Sequence, residues 1–188
     1  MAHVLAGAFG FAGLFAFVAG SPFVYMTFFG VSPQQYGYLV GLNAAAMVAA
    51  NVINAQVIAK MDPSLKMTIG AFSLATVGLA LVLASTIGLG LPWIVAGVVV
   101  YVGALGLTST NSIVGALSSM QEESGTVSAL IGATQFAFGA VSSLAISLMA
   151  STSAVATTVA MAVCGLLSLM AALSLRGVSE IQNGESNA

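Results

Sequence analysis

Six apolar stretches, each of about 20 residues or more and nearly free of charge, run through this chain of 188 residues and leave little between them. A bilayer's hydrocarbon layer is roughly 30 Å thick, the length of a helix of about 20 residues. Soluble domains carry about a quarter charged residues, whereas this chain is 4% charged and 59% hydrophobic with a mean hydropathy of +1.08. The expected fold class is therefore an all-α membrane protein with six transmembrane helices. The spans are expected at about 3–29, 35–59, 65–86, 92–117, 125–150 and 153–175, with membrane lipid as the first partner. The polar stretch 176–188 is expected to be a disordered tail.

Charge placement orients the bundle. Lys60, Asp62 and Lys66 follow span two, Glu122 and Glu123 follow span four, and Arg176, Glu180 and Glu185 follow span six. With six spans these positions share one side, and because every Lys and Arg is among them, that side is expected to be cytoplasmic, with both termini. Trp93, Tyr36 and Tyr38 then fall near the outer interface, where amphipathic rings are favoured. No basic stretch precedes the first apolar segment, so it reads as a mature span and not as a signal peptide. A span that starts this close to Met1 is expected of a chain that begins partway through a longer one.

Several functions are excluded by what the chain lacks. No basic cluster exists to meet a nucleic acid. His3 is the only histidine and Cys164 the only cysteine, so no metal-ligand set, no cofactor and no nucleophile–base pair is expected, and an enzyme is not. Cys164, inside span six, reads as a packing residue.

Polar residues and rings inside the spans mark the candidate site. Span one carries seven of the ten phenylalanines; within it Phe17, Ser21 and Tyr25 follow i, i+4, i+8 spacing across Pro22, which is expected to break the helix and turn it toward a pocket. Span two places Asn43, Met47, Asn51 and Asn54 within about 80° of one another, as an interhelical seam or a ligand-facing surface. In span four, Thr108 and Asn111 share a face and are candidates for a cavity, while Ser109, Thr110 and Ser112 are expected to bond back to their own helix. Span five repeats Gly125, Gly132 and Gly139 every seven residues, a helix-packing row, with Gln135 and Phe136 on or beside it as candidate ligand contacts. Pro22 is grouped with these packing positions. Spans three and six are plainer and fit the lipid-facing outside.

Ser21-Pro22-Phe23-Val24-Tyr25, the Phe29-Gly30-Val31-Ser32-Pro33 turn, Tyr36-Gly37, Gly41-Leu42-Asn43 and Asn54-Ala55 resemble the seventh and eighth helices of major facilitator superfamily drug:proton antiporters of the bicyclomycin-resistance (Bcr/CflA) type. Gly125-Thr126-Val127-Ser128-Ala129-Leu130 with Gly132 and Gln135-Phe136 is similar to that group's eleventh helix. The resemblance implies the C-terminal six-helix half of a twelve-helix transporter, a three-plus-three inverted repeat in a bacterial inner membrane. It also implies export of amphipathic drug-like compounds in exchange for protons. The family's coupling acid and arginine and its antiporter motif belong to the N-terminal half and have no counterpart here. The expected partner is that missing half or a second copy of the chain. A six-span homodimeric transporter and an inactive fragment remain open alternatives.

Overall fold

The computed structural model describes residues 2–118, 124–149 and 154–186. Six helices follow one another: α1 (Ala2–Pro22), continued by a π-helical segment (Phe23–Phe28), then α2 (Pro33–Gln56), α3 (Pro63–Thr86), α4 (Leu91–Ser118), α5 (Ser124–Leu148) and α6 (Ala154–Ser186). All six are long and apolar enough to cross a membrane, and no strand occurs among the described residues. The bounds lie close to the expected spans except in α6, whose helix runs on to Ser186 through most of the stretch expected to be a disordered tail. Glu122 and Glu123, expected on the charged side, lie outside the described residues.

Local chemistry sets the helix ends. Ser32 Oγ accepts from Gln35 N at 3.3 Å and Gln35 Oε1 accepts from Ser32 N at 3.1 Å, a reciprocal cap with Pro33 preset in the first turn. Asp62 caps α3 by accepting from Leu65 N at 3.0 Å, just ahead of Pro63. Pro22 does not break the first span as expected. Its ring excludes the usual i→i−4 bond, and the chain responds with a wider turn, in which Phe29 N reaches Val24 O at 3.2 Å. Pro22 itself is exposed; its assignment to helix packing is corrected, because the widened turn leaves its ring on the outside of the helix.

Packing begins at α1, where small residues let two helices approach. Ser112, Leu105 and Tyr101 of α4 seat against Gly7, Gly10 and Gly13, so α4 descends as α1 ascends. On another flank Ser168 of α6 donates to Ala6 O at 2.8 Å and Thr157 seats against Gly20. Behind them α3 and α6 form the most extensive pair, with Gly78 against Ala162 and Gly165 against Leu74. Tyr101 closes this core by donating to Met161 O at 3.0 Å.

These contacts repeat when α1–α3 are exchanged for α4–α6. As α1 lies on α6, so α4 lies on α3; as α5 runs parallel beside α1, so α2 runs parallel beside α4. Since α1 and α4 cross in opposite senses, the bundle is an inverted three-plus-three repeat in which each triplet lends its middle helix to the other. The helices α5, α1, α4 and α2 thus form a row, with α6 and α3 packed behind its centre. No described helix covers the front. The two ends of the row are the most exposed spans, α2 burying only Asn43 and Asn54, while α3 and α6, expected as the plain exterior, supply the most heavily packed pair and turn only their outer faces away.

Candidate functional site

Phe17, Ser21 and Tyr25 do come together, but inside the core. Phe17 meets Tyr25 edge-on at 5.9 Å, and both pack with Val98, Val102 and Leu105 of α4. The Ser21 and Tyr36 hydroxyls bond at 2.9 Å, and the Tyr36 ring lies 6.1 Å from that of Tyr25. Tyr25 is fully buried, so its assignment to an open ligand wall is corrected for this structure, along with those of Phe17 and Ser21. The physical reason is that α4 lies directly on this stripe. Tyr36 was expected at the outer interface; the Ser32 cap starts α2 close enough to the π segment that its first-turn ring folds inward. Trp93 and Tyr38 are exposed, on the side of the bundle whose described loops carry no charge.

The seam between α2 and α4 consumes the amides. Thr110 Oγ1 donates to Asn51 Oδ1 at 2.8 Å, and Asn111 Nδ2 donates to Asn54 Oδ1 at 3.2 Å and to Leu107 O at 2.8 Å. Met47 lies against Gly106 nearby, and Asn43 is buried farther along the same helix. Asn51 and Asn111 are therefore bonded between helices in this structure, the interhelical-seam reading of the pair. Thr110 crosses the seam instead of bonding back, whereas Ser112 does bond back, to Ser109 O at 2.8 Å. Thr108 is also corrected: it seats against Gly70 of α3 and donates to Ala104 O at 3.0 Å. Three residues of helix turn a side chain by about 60° from its start, and α4 is flanked by α2 and α3, so that turn is enough to send Thr108 to a different neighbour from Asn111.

The seam between α1 and α5 is built differently. Gly139 accommodates the Phe15 ring, and Ser143 Oγ donates to Phe15 O at 3.2 Å. Gln135 is 5% exposed and converges with Ser112 on Gly7, yet its Nε2 has no hydrogen-bond partner. Within this chain Gly125 and Gly132 pack against no other helix, since a Cβ at either would meet nothing within 4 Å. The buried stripe of α5 runs through Val127, Ile131, Gln135 and Gly139 at four-residue spacing. That row crosses the seven-residue glycine row only at Gly139.

Phe136, one position on, is 61% exposed. Its ring lies 5.9 Å from Phe15 and 6.4 Å from Phe11. Phe9 and Phe138, each displaced by two residues and so turned to the opposite side, meet at 5.1 Å and border the crevice toward Leu167 of α6. Phe11, Phe15 and Phe136 therefore stand on the uncovered front. Sequence reasoning missed Phe11 and Phe15, although Phe11, Phe15, Val18 and Pro22 follow a helical stripe of their own. Among the described residues no cluster of His, Cys, Asp and Glu could hold a metal ion. What the front offers is rings, suited to stacking against apolar and aromatic surfaces.

No protein-family model matches the chain. It is 29% identical over 171 residues to the bicyclomycin resistance protein homolog of Haemophilus influenzae, covering 91% of this chain and 43% of that protein. It is 28% identical over 142 residues to the MFS-type transporter YdgK of Bacillus subtilis, covering 75% of this chain and 35% of that one. The chain thus spans less than half the length of the curated relatives it matches. With six membrane-length helices paired as an inverted repeat, it has the fold of one half of a major facilitator superfamily transporter and is similar, over nearly its whole length, to the bicyclomycin-resistance type.

Proposed function

We propose that this chain is the C-terminal half of a multidrug efflux transporter, exporting amphipathic drug-like compounds across the bacterial inner membrane with both termini in the cytoplasm. The observation that carries the reading is the uncovered front: a row of four helices with exposed rings at its face and under-packed helices at both ends. Each end helix also presents a small residue every fourth position on its exposed side, Gly37, Gly41, Ala45 and Ala49 on α2, and Gly125, Ala129, Ala133 and Ala137 on α5. Such rows admit the close backbone approach of another membrane helix. A partner six-helix bundle docks along both, encloses the drug between the two fronts, and rocks against this half to alternate access. The coupling proton is carried by the partner. Phe11, Phe15 and Phe136 hold the drug through ring contacts, and Met47 and Asn43 border the same space from the α2 side.

The test is expression of this chain together with the N-terminal six-helix half of the Haemophilus influenzae relative in a drug-sensitive bacterium. Bicyclomycin resistance is expected from the pair and from neither half alone. Resistance conferred by this chain alone, or none from a pair that reaches the membrane, overturns the proposal.

A further inference from the structure

We infer that α5 has two registers along α1, one helical turn apart, and that the structure shows one of them. Two buried polar atoms on or beside this seam lack hydrogen-bond partners, Gln135 Nε2 between α5 and α1 and His3 Nδ1 where α1 meets α4. They are complementary. The amide nitrogen donates, and the imidazole nitrogen accepts when the ring carries its proton on Nε2. Gln135 sits at Gly7, and His3 lies one turn along α1 from Gly7, against Gly115 of α4. A shift of α5 by about 5.4 Å toward the charged end brings Gln135 level with His3.

The same shift finds substitutes for two contacts and gives up a third, the edge-on meeting of Phe9 and Phe138 at 5.1 Å. Gly139 now accommodates the Phe15 ring, and after the shift it faces Phe11, the same side chain four residues earlier. Ser143, which donates to Phe15 O at 3.2 Å, then finds Phe11 O. Beyond α1, α5 is held by fewer contacts, chiefly Val127 and Ile131 against Ala116 and Leu117 of α4 and Ser142 against Cys164 of α6. One-turn ratchets of one packed element past another are a known form of switching between two discrete states at subunit interfaces. The consequence is a change in the front wall, since Phe136 moves by one turn past the rings of α1.

Disulfide trapping in the full chain tests this, in a Cys164→Ala background reconstituted into liposomes. The pair F15C/G139C reports the register seen here and F11C/G139C the shifted one. Both pairs are expected to crosslink on mild oxidation, the second to a lower extent. Adding Gln135→Leu is expected to cut the F11C/G139C yield about fivefold, the equilibrium weight of one hydrogen bond, and to leave F15C/G139C unchanged. If F15C/G139C crosslinks and F11C/G139C does not, or if Gln135→Leu leaves both yields unaltered, the second register does not exist. Crosslinking of F15C/G139C shows that chain to be folded, and a cooperative unfolding transition in mild detergent is required of F11C/G139C, in which the new side chain meets the intact Phe15 ring, before its yield is read.

Discussion

The two seams related by the inverted repeat, α2 on α4 and α5 on α1, solve the same packing problem with different chemistry. The first is zipped by two side-chain hydrogen bonds, Thr110 to Asn51 and Asn111 to Asn54. The second is broad and apolar, closed by a ring on a glycine and one hydroxyl-to-carbonyl bond, and it leaves the amide of Gln135 unpaired. Hydrogen bonds fix a register because a displaced partner is lost, whereas rings repeating at i and i+4 offer equivalent seats one turn apart. The α2 seam is therefore the reference edge of the half-bundle, and the α5 seam is the one able to move.

Substitutions can break or sharpen that contrast. The largest effect is expected from Gly139→Ile, because a Cβ there would lie 2.8 Å from the Phe15 ring and the added methyls have no exit. Overpacking of this kind costs about 1–3 kcal/mol, and thermal unfolding in mild detergent should register it as an early transition. Next comes Asn111→Leu, which strands Asn54 in the α2 seam; a cost of about 1 kcal/mol is expected, since interhelical bonds in membranes average ~0.6 and reach ~1.7 kcal/mol. The Asn54→Leu, Asn111→Leu double variant should recover part of that loss, and strict additivity of the two single variants would show that the zipper carries no coupling. Gly132→Ala should stabilise α5 by about 0.5–1 kcal/mol, the helix-propensity gain at a position with free space around it. A destabilised Gly132→Ala protein would restore the seven-residue glycine row as a packing surface. Smallest is Gln135→Leu, expected to leave the unfolding transition within a few tenths of a kcal/mol of the parent, since no bond is lost. A drop comparable to that of Asn111→Leu would place Gln135 in a bonded network and erase the difference between the seams.

The comparison also marks where sequence reasoning reached its limit. Span positions followed from apolar length, because that cause acts within one segment. That the amides of span two and the polar end of span four were special was legible too. That they face each other was not, since Asn54 and Asn111 are 57 positions apart in the chain. The first span carries two stripes, Phe17–Ser21–Tyr25, which was singled out, and Phe11–Phe15–Val18, which was not. Both have helical spacing, and only the placement of α4 and α5 shows which is core and which is front. The glycines of α5 misled for a related reason: a seven-residue row and a four-residue row drift in opposite directions on a helix, so a regular pattern can slide off the contact face.

By itself, then, the sequence determined six membrane-length helices, the concentration of charge at one end and the polar residues that needed partners. Those properties are set by transfer into lipid and by bonds between near neighbours, which every local segment feels alone. Only the tertiary structure decided which needs were met: that Asn51 and Asn111 are spent between helices, that Tyr25 is sealed in and Phe136 left out, and that Gln135 still lacks a partner. Such outcomes depend on which helix lies alongside, and in an inverted repeat that neighbour comes from the other half of the chain.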